Sequence, residues 1–174
     1  MKRLVTISLI MLLLLAIEGV AIELLPSFIK LSQVYLTPHW LLLFLIIVVS
    51  FGYPNDSTIP ITFAVVFGLM TDIVYTGILG VYMFMLALSV YSSQLLNRLL
   101  QANLWMLLLI AFASITVMEV GLLSIYSLIG IPTMSLNNFL LYRYIPTVIA
   151  NLLFLLIIYV PSRKLLHWMK EESF

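Results

Sequence analysis

The sequence predicts an all-α polytopic membrane protein, with about six transmembrane helices forming a single domain over residues 1–174. Three observations predict it. Hydrophobic residues fill 64% of the 174 positions and charged residues only 9%, where a soluble domain carries about a quarter charged residues. The apolar residues fall in runs close to the ~20 that a helix needs to cross the hydrocarbon core. Proline, glycine and polar residues collect between the runs. There are no cysteines, which excludes disulfides, thiolate metal sites and cysteine nucleophiles. A net charge of +1 leaves no electrostatic footprint for a nucleic acid.

The first run, Leu4–Leu25, follows Lys2-Arg3 and ends at Pro26-Ser27. It begins like a signal peptide. The apolar stretch is too long for one, and no small-x-small cleavage site follows, so it is expected to stay as the first helix. Thr37–Gly52 is the second run, with Pro38 near its start, where the missing N–H costs little. Tyr53-Pro54-Asn55-Asp56-Ser57 reads as a loop. The third run, Thr58–Tyr75, meets the fourth, Ile78–Leu96, with almost no hydrophilic connection. The second and third are short, which favours little tilt or a locally thinned bilayer. Asn97–Asn103 separates the fourth from the fifth, Leu104–Leu128, which is long enough to tilt or to extend beyond the membrane. Gly130-Ile131-Pro132 opens the last loop, and the sixth run is Phe139–Val160. Pro146 is expected to kink that run unless the helix starts close to it.

Basic residues orient the chain. With the N-terminus inside, Lys2, Arg3, Arg98, Arg163, Lys164 and Lys170 face the cytoplasm and Lys30 and Arg143 face outward, so both termini are expected to be cytoplasmic. Trp40, Trp105 and Trp168 fall at span ends and read as interfacial anchors. Arg163–Lys170 reads as a short basic amphipathic stretch lying on the inner leaflet. His39 and His167 read as polar edge residues rather than ligands.

Four ionisable residues fall inside runs: Glu18, Asp72, Glu119 and Arg143. Each costs about 2.5–3.5 kcal/mol at a helix centre, so they must be paired, protonated or facing water. At 1.5 Å per residue, the three acids lie roughly 20–24 Å from the cytoplasmic face, and Arg143 begins a helix running inward. The expectation is one polar cluster in the outer half, opening outward, that either binds a partner or fixes helix packing. Three acids against one Arg require a protonated acid or further donors. No H-E-x-x-H, G-x-S-x-G or Cys–His arrangement is present, and no basic residue in the inner half continues a proton path. An enzyme, a metal centre and a bound cofactor are not expected.

Gly68-Leu69-Met70-Thr71-Asp72-Ile73-Val74-Tyr75-Thr76-Gly77-Ile78-Leu79-Gly80-Val81-Tyr82 joins the third and fourth runs. Gly77 and Gly80 permit a tight turn, and Ala64 and Gly68 permit close helix approach. The ordered set Gly68, Asp72, Tyr75, Gly77, Gly80 and Tyr82 resembles the MreD family of bacterial rod shape-determining membrane proteins. Glu18, Glu119 and Arg143-Tyr144-Ile145-Pro146 match family features as well, so the likeness covers nearly the whole chain. The resemblance implies a non-enzymatic subunit of the cell-elongation machinery in the bacterial cytoplasmic membrane. Its main partner would be MreC, with MreB filaments, the RodA glycosyltransferase and a class B penicillin-binding protein further away. It also implies a six-helix fold similar to the substrate-binding components of energy-coupling-factor vitamin transporters. A solute-binding component is the alternative function. Against it, the first helix lacks an Ala-xxx-Ala contact motif, since Val20 follows Ala16, and the outer loops offer few groups to wrap a solute.

Overall fold

The computed structural model describes residues 2–21, 34–53, 56–100 and 103–171. The expected end of the first run at Leu25–Ser27, and Glu23, Lys30, Pro54, Asn55 and Gln101, lie outside the described residues. Within them the chain forms six helices: α1 (Lys2–Ala21), α2 (Trp40–Ile47, closing in a wide π turn Val48–Gly52), α3 (Ile59–Thr71, closing in a π turn Asp72–Thr76), α4 (Val81–Leu99), α5 (Leu104–Leu128) and α6. The last begins as Leu136–Asn138, widens through Phe139–Tyr144 and continues as Ile145–Glu171. Among the described residues, four helices are long and apolar enough to span a bilayer, namely Arg3–Ala21, Ile59–Thr76, Leu104–Leu128 and Leu136–Met169.

α2 is the hub. Leu41 through Val49 are all buried, and α1, α3, α4, α5 and α6 each pack against it. An all-round apolar helix has no polar face to give to water, so it belongs inside other helices. The remaining five follow one another around it, with α3 against α4, α4 against α5 and α5 against α6. Their outward faces carry exposed apolar side chains such as Leu9, Leu13, Ile73, Phe84 and Ile157. That is the pattern of a lipid-facing surface, because lipid imposes no penalty on exposed hydrocarbon. α4 carries its polar residues inward: Ser89, Ser93, Gln94 and Asn97 are buried while Leu88, Tyr91 and Leu95 are exposed.

Small residues set the close approaches. A Cβ at Gly68 would lie 2.6 Å from the Met83 Cα, so α3 and α4 touch backbone to backbone. A Cβ at Gly19 would collide with the edge of the Tyr75 phenol, whose hydroxyl donates to the Leu15 carbonyl at 2.8 Å.

One end of the bundle gathers the basic residues. Arg3 donates to the Gly52 carbonyl at the C-terminus of α2, where a cation meets the negative helix end, and stacks over Tyr53 at 4.1 Å. Arg163 lies over Phe51 at 5.3 Å, and Arg98 pairs with Asp56 at 2.8 Å.

Three expectations need correction, and a fourth resolves to its stated alternative. The sequence places Trp40 at an interface, but its ring is partly buried and stacks on Phe154 at 4.4 Å. His39, expected at an edge, is 2% exposed. Arg163–Lys170 does not lie apart from the bundle: α6 continues through Pro161 to Glu171, with Leu166 and Met169 buried. For Pro146 the alternative holds: the α-helix starts beside it at Ile145, where the wide π turns end, so its missing N–H falls at a change of register.

Candidate functional site

At the end of the bundle opposite Arg3, three acids, Asp72 and Glu119 buried and Glu18 partly buried, meet three different sets of donors. Asp72 is fully buried at the foot of α3. The chain turns through Gly77 (φ 67°) and Gly80 (φ 97°), both left-handed, a conformation glycine adopts without strain. That turn aims the first N–H groups of α4 back at Asp72. Its Oδ2 accepts from Gly80 N at 2.8 Å and Met83 N at 3.1 Å, and its Oδ1 from Tyr82 N at 3.0 Å and Thr76 Oγ1 at 3.2 Å. The carboxylate therefore caps α4 from another helix, satisfying orphan N–H groups where no water is at hand.

Glu18 does the same for α2. Its Oε2 accepts from Leu41 N at 3.1 Å. The other groups at this helix start are held by α6: Asn151 Oδ1 accepts from His39 N at 2.7 Å, while Asn151 Nδ2 donates to the Thr37 and Thr147 carbonyls at 2.9 and 2.8 Å. Thr147 Oγ1 accepts from Thr37 N at 3.1 Å, and the Tyr142 carbonyl accepts from Tyr35 N at 2.8 Å. The non-helical segment 34–39 is thus stitched to α6, which is what allows irregular backbone beside a membrane core.

Glu119, fully buried on α5, joins the two halves. Its Oε1 lies 2.7 Å from His39 Nε2, and its Oε2 accepts from Arg143 Nε at 2.8 Å. Tyr82 stands within electrostatic reach of Glu18, Glu119 and Arg143. Of the four residues expected to converge, the structure joins Glu119 and Arg143 directly and brings Glu18 alongside through His39. Asp72 belongs to the same end but to a separate set of bonds. The imbalance of three acids against one Arg is met by backbone N–H groups and by His39.

The expected outward opening is corrected in one respect. The space bounded by Glu18, His39, Thr71, Tyr82 and Met118 is about 10 Å³, at the lower limit for one water. Arg143 reaches a larger space. Its side chain is 28% exposed and faces a groove of about 220 Å³ walled by Leu123, Tyr126, Pro132, Met134 and Phe139.

Sequence reasoning missed His39, Thr147 and Asn151. The last two are polar at i and i+4 on one face of an otherwise apolar helix, a signal that was present. His39 gave none, because its burial depends on how deep α2 begins.

These features define a polytopic helical membrane protein whose central helix is tied in place by a buried polar network. Residues 2–169 match the family described as rod shape-determining protein MreD. The chain is also 34% identical over 137 residues to the rod shape-determining protein MreD of Bacillus subtilis (strain 168), covering 79% of this chain and 78% of that one. The chain belongs to the MreD family, and it is a rod shape-determining membrane protein of the bacterial kind. No solved structure matches it, so the likeness to energy-coupling-factor components stands on the resemblance alone.

Proposed function

We propose that the chain is a non-enzymatic scaffold of the cell-elongation complex in the bacterial cytoplasmic membrane. It binds MreC and so helps couple MreB filaments on the inner side to peptidoglycan synthesis by RodA and a class B penicillin-binding protein on the outer side. Both termini are cytoplasmic in this reading, consistent with Arg3, Arg98 and Arg163 clustering at one end and Arg143 standing at the other.

The observation that carries the proposal is that the acids of the charged network are satisfied within the chain. Each of its carboxylates already has donors from the chain, and the adjoining space is about 10 Å³. A solute-binding component needs a cavity of roughly 300 Å³ or more. The charges are better suited to holding α2, α4 and α6 in fixed positions, giving a rigid surface for a partner. Binding then rests on helix packing and a few buried hydrogen bonds, as is usual within lipid.

Depletion in a rod-shaped host, with affinity purification of the chain from detergent extracts, tests this. Rounded, swollen cells and co-purified MreC are expected. Rods of normal shape with impaired vitamin uptake would overturn the scaffold in favour of the solute-binding alternative.

A further inference from the structure

The groove at the start of α6 is built before anything fills it. α5 ends at Leu128 and turns sharply through Gly130, whose φ of 78° is left-handed. The turn is fixed by Gly130 N donating to the Ser127 carbonyl at 3.2 Å and Ile131 N to the Tyr126 carbonyl at 3.0 Å. On the opposite side Phe139 N donates to the Ser135 carbonyl at 2.9 Å, starting α6. The walls are thus pre-organised, which lowers the ordering cost of binding.

Its floor holds one charge with one edge committed. Arg143 gives Nε to Glu119 at 2.8 Å, and that carboxylate is itself shared with His39. Among the described residues, no acceptor meets the terminal guanidinium nitrogens. A guanidinium is always charged and offers paired parallel donors matched to a carboxylate. Around it stand Leu123, Tyr126, Met134 and Phe139. The volume of about 220 Å³ is below the usual range for small-molecule sites and accommodates a single large side chain. The groove lies between the last turns of α5 and the start of α6, beside exposed Pro132 and Thr133.

We propose that this groove receives one apolar side chain from a protein partner, with a neighbouring carboxylate of that partner paired to the outer edge of Arg143. The inference rests on the scaffold reading and gives its contact a chemistry: an apolar residue flanked by Asp or Glu. Glu119 pre-aims the guanidinium, so the partner meets a fixed donor pair rather than a mobile side chain.

The test uses the full chain in cells that also produce MreC. A photo-crosslinking amino acid is placed at Thr133, with Trp105 at the far end of α5 as the comparison position. In parallel, Met134→Trp fills the groove without touching the ionic network. A crosslink to MreC from position 133 and not 105, together with at least a tenfold drop in MreC retained by Met134→Trp, is the expected result. Unchanged retention by Met134→Trp overturns the groove while leaving MreC binding intact. A crosslink confined to lipid, to a second copy, or to residues 22–33 of the same chain also overturns it. Absence of MreC from the unmodified preparation overturns the scaffold reading itself.

Discussion

Replacing Asp72 by Ala strips four hydrogen bonds from one buried point. Three of the donors are backbone N–H groups of Gly80, Tyr82 and Met83, at 2.8–3.1 Å. Hydrogen bonds to a charged group contribute about 1.5–3 kcal/mol each, but the bonds of one carboxylate are not additive. Loss of an ordinary helix cap costs about 0.5–2 kcal/mol. Asp72 is fully buried, so water does not replace it freely, and a loss of about 2–4 kcal/mol is expected. Asn keeps one oxygen but turns an NH₂ toward donors on the other side, so Asp72→Asn falls only slightly short of Ala. The assay is thermal unfolding of purified protein in a mild detergent, read by loss of the monodisperse chromatographic peak. At roughly 2–4 °C per kcal/mol for a chain of this size, the midpoint drops by about 4–16 °C. A midpoint within about 1 °C of wild type for both variants would refute the assignment of Asp72 as the hub of the α3–α4 hairpin.

Three further outcomes follow from the packing. Glu119→Met leaves Arg143 without its acid and costs about 2–4 kcal/mol, less than a fully buried pair because Arg143 is 28% exposed; the double variant Glu119→Met/Arg143→Met loses less than the sum of the singles by about 1–3 kcal/mol, measured as a double-mutant cycle in the same assay. Gly68→Ala sets a methyl against the Met83 backbone, which cannot yield as a side chain does, and is expected to cost about 1–3 kcal/mol in melting experiments. Tyr75→Phe removes the bond to the Leu15 carbonyl and is expected to cost only about 0.5–1.5 kcal/mol, with MreC retention in pull-downs unchanged.

The helices were legible because lipid demands long apolar runs, and each run overlaps a helix, although the sixth helix begins at Leu136 and continues past Val160 to Glu171. The second run is the instructive case. Thr37–Gly52 looked like a short span, yet its helix begins only at Trp40, because segment 34–39 gives its hydrogen bonds to Thr147 and Asn151 instead of to itself. Nothing local to residues 34–39 states that preference; the partners lie 110–114 positions away. The same holds for the site. Charges inside apolar runs announced Glu18, Asp72, Glu119 and Arg143, since lipid makes each one costly. Which donor each acid takes depends on helix starts that adjoin only after packing. The hairpin was most fully readable, because Asp72 and its donors lie within eleven residues of one another.

The hydrogen bonds of segment 34–39 set an order of events for biogenesis. A thirteen-residue rod such as Trp40–Gly52 is roughly 20 Å long, short of the ~30 Å of hydrocarbon. On leaving the ribosome, α2 finds Glu18 already made to meet Leu41 N, but His39 N and the Thr37 carbonyl before it wait for Asn151, made more than a hundred residues later. Insertion of the middle of the molecule is therefore completed by its last helix, and a chain halted before Asn151 is left with polar backbone in oil, an open invitation to membrane quality-control proteases.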